Sequence, residues 1–308
     1  MATLPDTPPP VFEEEPRSAP PPAGGPSLGG LAALVLGNAI LAVGPWLVRL
    51  SGVPPVVSGF WRLALALPLV LLIAVARRRT APPVTARALL VAGAGGLFFA
   101  LDLAAWHSGI VRTRLANATL FGNVTSFFFV AYGFLVTRSL PDRVQATAIG
   151  LAVAGVALLL GRSFELSRAH LAGDLLCLLA GATYTGYMVA VDRLRGRLGT
   201  WATLGSATFA AAAVLLALVG VEHAPLWPRD WRPLLALAVG SQVIGQALII
   251  FAIGNLPSMM VGLGLLTQPV VASAIGWIAY DERLGIVDLL GALAIAAALV
   301  LVRRRAAG

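Results

Sequence analysis

The sequence predicts an all-α membrane protein of ten transmembrane helices, arranged as two inverted five-helix repeats. Three observations carry this. The chain is 58% hydrophobic and 12% charged, with a mean hydropathy of +0.86, whereas a soluble domain is roughly a quarter charged and under half apolar. One globule of this size cannot hide that much apolar side chain, so a lipid bilayer must solvate it. The apolar residues also fall into ten segments of about 17–25 residues, the length that crosses a bilayer as a helix. Finally, the two halves look alike. Five spans per half is an odd number, so the halves lie upside down to one another.

The first 28 residues stand apart. Pro8, Pro9, Pro10, Pro20, Pro21 and Pro22, with Glu13, Glu14 and Glu15, make a proline-rich acidic leader without an apolar core. It reads as a disordered cytoplasmic tail over 1–28 and lacks the basic start and cleavage site of a secretory signal. Gly25-Pro26-Ser27-Leu28-Gly29 matches the G-x-S-x-G pattern, but that motif needs a strand-to-helix turn, and no strand precedes it.

The first repeat occupies 29–161, with spans at Gly30–Val48, Pro55–Ala76, Ala88–Gly109, Leu115–Val136 and Val144–Gly161. The second occupies 170–302, with spans at Leu171–Val191, Trp201–Val221, Leu234–Ile253, Ser258–Tyr280 and Gly285–Val302. Nothing alternates with a period of two, which excludes a β-barrel.

All the basic side chains other than histidine are arginine, and the net charge is +8. A nucleic-acid partner would need a basic patch interleaved with aromatics. Here the arginines sit in short runs between spans, the pattern of membrane topology. With a cytoplasmic N-terminus, Arg77, Arg78, Arg79 and Arg87 fall on the inner side. Arg193, Arg195, Arg197, Arg303, Arg304 and Arg305 join them there. The outer loops carry fewer. A multi-pass protein of the inner (plasma) membrane with both termini cytoplasmic is the expectation.

The single Cys177 excludes an internal disulfide framework. His107, His170 and His223 form neither H-E-x-x-H nor a cysteine–histidine grouping, so an enzyme is not expected, nor a metal or other cofactor. No nucleotide-binding loop is present. The expected partners are a small-molecule substrate and the lipid bilayer. Small residues such as Gly291 and Ala294 leave a homodimer open.

The repeat is visible in Leu120–Val136 and Leu265–Asp281, alike in length and texture, with Asn123 placed opposite Pro269. Each is followed by a charged loop and a glycine-anchored helix, at Ile149-Gly150 and at Leu290-Gly291. Inverted repeats put a binding site near the midplane and permit alternating access.

Several short motifs sit on this frame: Phe60-Trp61-Arg62 in the second span, Tyr184-Thr185-Gly186-Tyr187 in the sixth, Gln268-Pro269 in the ninth, and Asp281-Glu282-Arg283 beyond it. With them the chain resembles the drug/metabolite transporter superfamily in its EamA-type ten-helix form, over about residues 29–302 by the span count. It is most similar to the bacterial amino-acid exporters, which implies outward movement of amino acids. Gly37-Asn38 stands where that family often has Trp-Gly, and Asn123 where it often has proline.

Polar side chains deep in a membrane usually face the bundle interior or a wet cavity. At 1.5 Å per residue, Asn38, Asn123, Gln242, Gln246 and Gln268 lie roughly 12–18 Å into their helices. Gln242 and Gln246 share a face, being four apart. A ring of amides at one depth suits the ammonium and carboxylate of a zwitterion, while helix–helix hydrogen bonding is the plainer role for each alone. Trp46, Trp106, Tyr184 and Tyr187 are the aromatic candidates for stacking on substrate, with an interfacial belt as the alternative for the two tryptophans. Arg62 and Asp102, at equal depth on neighbouring helices, are expected to form a structural or gating ion pair, or to let Asp102 couple protons. His107 borders water. Asp174 and Asp192 sit near the ends of the sixth span as caps. Pro269 is the expected hinge.

Overall fold

The computed structural model describes residues 27–77, 85–161, 167–194, 197–271, 274 and 285–307. The proline-rich leader, much of the ninth span and Asp281-Glu282-Arg283 lie outside the described residues. Within them the chain is helical throughout, with no strand. Eight spans are long and apolar enough to cross a bilayer, and Arg143–Leu159 and Ser258–Val271 are shorter apolar helices that complete the ten.

The spans begin where the sequence offers caps. Ser27 Oγ accepts from the Gly30 amide at 2.9 Å as α1 (Leu28–Ala42) starts. Thr85 Oγ1 accepts from the Ala88 amide at 3.2 Å at the head of α4 (Ala86–Ile110). Asp142 and Gln145 cap α7 (Arg143–Gly161) reciprocally, each side chain accepting from the other's amide at 2.9 Å. Arg305 Nε donates to Asp142 Oδ2 at 2.9 Å, which ties α13 (Ile286–Ala307) to that cap. These hydrogen bonds, the Gln145 amide foremost, hold the Asp142 carboxyl below the usual carboxylate range. Leucines such as Leu72, Leu90 and Leu293 stay exposed on the outer surface of the bundle, where lipid rather than water meets them.

Three spans expected as single helices are broken. The first divides into α1 and α2 (Gly44–Leu50), because Pro45 has no amide hydrogen to continue the ladder. The fourth divides into α5 (Leu115–Gly122) and α6 (Val124–Thr137) at Asn123, whose Nδ2 donates to Thr119 O at 2.6 Å. The ninth breaks after α12 (Ser258–Leu265). The eighth is continuous but unevenly wound: α10 (Arg232–Ala236), a π-helical stretch Leu237–Gly245, and α11 (Gln246–Asn255). The remaining spans are α3 (Pro55–Ala76), α8 (Leu171–Leu194) and α9 (Thr200–Glu222).

The breaks fix the register of the repeat. Both α5 and α12 are eight residues long and end at Asn123 and Leu266, with nearly identical backbone angles. The same displacement along the chain relates Arg143 to Ile286, where α7 and α13 begin. Asn123 therefore corresponds to Leu266, and Pro269 to Ser126, three residues from the expected alignment. A two-residue irregularity is invisible in a run of apolar residues, which is why texture alone misplaced it.

Packing follows the pseudo-two-fold relation. Helix α3 lies on α9, α6 on α12 and α7 on α13, each span against its own counterpart, while α4 on α8 is matched by α11 on α1. The α7–α13 crossing is closest at two glycines. A Cβ added to Gly155 would stand 2.8 Å from Gly291 O, and one added to Gly291 would stand 2.8 Å from Gly155 O. Gly150 has open space instead.

Gly155→Leu or Gly291→Leu should therefore force α7 and α13 apart, with the cost of about 1–3 kcal/mol usual for overpacking. Gly150→Leu should cost much less. Unfolding of the detergent-purified chain checks this; equal losses at Gly150 and Gly155 would contradict the crossing.

Candidate functional site

A cavity of about 90 Å3 lies between the halves, with walls from α1, α2, α3, α4, α5, α6, α8, α11 and α12. A single water needs roughly 10–15 Å3 by this measure, so several waters or a small solute fit.

The helix breaks shape its wall. Pro269 cannot donate to Leu265 O, the carbonyl one turn earlier. Asn38 Nδ2 takes that carbonyl at 2.6 Å, with Thr267 Oγ1 at 2.9 Å and Gly264 O at 3.3 Å. Asn38 thus binds the broken ninth span to the first. The related place in the other half has Gly181 on α8, whose carbonyl accepts from Thr125 Oγ1 at 2.8 Å, beside Asn123 with its own self-cap. One side chain bridges in one half and is absent in the other, so the two halves are not equivalent at the cavity.

Of the residues expected in the site, Asn38, Trp106, Asn123, Tyr184, Gln246 and Gln268 line the cavity, together with Arg62 and Asp102. Tyr184 and Gln246 are linked through the hydroxyl at 3.3 Å. Trp106 packs its ring against Gly122, where an added Cβ would stand 2.5 Å from the indole, so a larger residue there would push the ring aside.

Gln242 and Tyr187 lie behind the wall. Gln242 is fully buried, donating to Thr208 Oγ1 at 2.9 Å and accepting from Arg62 Nε at 3.2 Å. It lies within the π-helical stretch that ends just before Gln246. Its wider turn separates side chains that a regular α-helix would put on one face. Tyr187 stacks on Phe99 with centroids 4.5 Å apart and an interplanar angle of 16°. Pro269 is buried beside the cavity and acts through the carbonyl it frees. Trp46 is 44% exposed and faces outward, as a belt residue would.

The expected Arg62–Asp102 ion pair is not formed. Both side chains are buried and both face the cavity. Arg62 instead bonds Gln242, and Asp102 has no hydrogen-bond partner among the described residues. Equal depth placed them at one level; it did not fix their distance across the opening.

His107 was missed. Far from bordering water, it is fully buried, with Nδ1 2.6 Å from Ser58 Oγ and Nε2 unpartnered. Asp102, Leu103, Trp106 and His107 form one stripe along α4, all on the cavity wall, and that i, i+1, i+4, i+5 spacing was the available signal. Thr119, Thr125 and Ser126, flanking Asn123, were also missed.

Beyond the cavity, Arg49 at the end of α2 donates to Ile110 O at 2.9 Å and Thr113 O at 3.1 Å. Thr113 Oγ1 donates to Asp174 Oδ1 at 2.6 Å, and Asn117 Nδ2 donates to the same atom at 3.1 Å. Asp174, expected as a solvated cap, is instead the buried end of a chain linking the first, third, fourth and sixth spans.

Asn38→Ala leaves Leu265 O without its donor, at a cost of about 1–3 kcal/mol for an unanswered buried acceptor. Pro269→Ala restores an amide hydrogen there, so Asn38→Ala should cost clearly less in that background. A double-mutant cycle on detergent-solubilised protein measures the coupling, and additive losses would refute the link.

The EamA-like transporter family matches this chain twice, over residues 28–161 and 171–304. The threonine/homoserine exporter RhtA of Salmonella typhimurium, in strains SL1344 and LT2, is 31% identical over 150 residues. That match covers 48% of this chain and 50% of the exporter, so it spans about half the length of those curated relatives. A solved crystal structure at 20% identity superposes with a TM-score of 0.70, covering 89% of this chain and 96% of its own. Likeness at that identity speaks to the fold. The double match, in the register set by the helix breaks, covers most of the chain, and the protein belongs to the EamA-like transporter family.

Proposed function

We propose that this transporter exports amino acids or closely similar small metabolites by alternating access around the central cavity. It would work in the inner membrane with both termini cytoplasmic. The observation that carries the reading is the cavity itself: polar, sized for a small solute, and walled by both inverted halves where three spans are broken. Breaks at the midplane supply backbone groups to a solute and let half-helices move. The name of the Salmonella typhimurium relatives supports amino acids as the cargo. The arginine-rich segments support the orientation. Family membership makes the chain a transporter and supports a small molecule as its cargo.

Asn38 and Asn123 use their amide nitrogens to hold the breaks, so their part in this reading is to shape the wall. Tyr184, Gln246, Gln268 and Trp106 remain available to the cargo. Asp102 in a proton-coupling role is the sharper version of the same mechanism.

Uptake of radiolabelled amino acids into proteoliposomes, with and without a pH gradient, tests this. Saturable uptake is expected, falling at least tenfold in Tyr184→Ala or Gln246→Ala of intact fold. Asp102→Asn should remove any gradient dependence. Tags on both termini should report on the same face. If a well-folded preparation moves no amino acid, the cargo assignment falls, and a panel of other metabolites and drugs takes its place.

A further inference from the structure

Arg62 is 5% exposed and Asp102 8% exposed. Each is a charged type of side chain in a low-dielectric setting, where an unpaired charge costs several kcal/mol. Such groups normally find each other. Here they line one cavity without joining. The guanidinium spends only Nε, on Gln242, and its two terminal nitrogens carry no partner among the described residues. The Asp102 carboxylate carries none either. Gln242 is itself fixed by Thr208 Oγ1, so Arg62 is braced from behind with its donor fork open to the cavity.

The geometry points to a split clamp for a zwitterion. Arg62 takes the substrate α-carboxylate through its two terminal nitrogens, and Asp102 takes the α-ammonium. This rests on the amino-acid reading above and adds which residues recognise which end. The chemistry singles out this ligand class. A carboxylic acid alone would answer Arg62 and leave Asp102 uncompensated, and an amine alone would do the reverse. Only a molecule with both charges a short distance apart answers both walls at once, and a guanidinium binds a carboxylate with two parallel bonds. Tyr184 and Gln246 complete the same wall and contact each other rather than the two charges.

The test uses the full-length protein in proteoliposomes and begins with the wild type, so that it does not depend on any variant folding. Labelled L-threonine is competed by three analogues: the corresponding α-hydroxy acid without the ammonium, the decarboxylated amine, and the amino-acid amide. Each should compete at least tenfold more weakly than unlabelled L-threonine. Competition within twofold by the amine or the hydroxy acid overturns the clamp. The variants then assign the ends. Asp102→Asn should narrow the preference for amino acid over hydroxy acid at least fivefold. Arg62→Gln should narrow the preference for amino acid over amide by a similar factor, and Arg62→Lys should restore part of it. Unchanged preference ratios in active variants overturn the assignment. If L-threonine and the other amino acids are not transported by wild type at all, the cargo reading has failed instead. Saturable transport with indifferent ratios sinks the clamp alone.

Discussion

The bond from Asn38 Nδ2 to Leu265 O holds the architecture of the site together. In hydrocarbon, each backbone carbonyl needs a donor inside the protein. Pro269 withholds one, and the first span supplies it from 227 residues away in sequence. That single answer allows the ninth span to break beside the cavity without leaving a bare carbonyl. It also sets how far α1 stands from α12, and with that the width of the opening. A broken helix is therefore an interface between spans as much as a local irregularity.

The same accounting explains the other interruptions. Asn123 caps the turn before itself, and Thr125 reaches the Gly181 carbonyl, so the break in the fourth span is tied both to its own preceding turn and to α8. Duplication provides the scaffold, and the differences between copies at Asn38 and Gly181 provide a site with two unlike walls. Arg62 on one wall has Gly205 as its related position, and Asp102 has Gly245. The charges belong to the first repeat alone, and the second repeat leaves small residues where they would stand.

The sequence made the fold legible because length and hydropathy suffice to find spans. It located part of the cavity wall, Asn38, Arg62, Asp102, Trp106, Asn123, Tyr184, Gln246 and Gln268 among them, because depth along a helix can be counted from its ends. What depth cannot give is the angle around the axis. Tyr187 and Gln242 lie at the right level and face the wrong way, the first drawn into a stack with Phe99, the second separated from Gln246 by π-helical winding. His107 shows the converse error, a residue assigned to the boundary from its position near a span end although it is fully buried. Span breaks were likewise out of reach, except where proline announced one.

One further consequence concerns the first span. It is interrupted at Val43, just before Gly44-Pro45, whereas its counterpart α8 runs unbroken from Leu171 to Leu194. A carrier hinged in this way has one jointed arm and one stiff one. Under the alternating access proposed above, two gates built on such arms would differ in activation barrier, and the one that must bend the stiff arm would limit turnover. Microscopic reversibility still forbids the joint from driving net flux, which only a gradient can supply. In that cycle the joint would set how quickly the carrier changes face, while the relative energies of the two states would set where it rests.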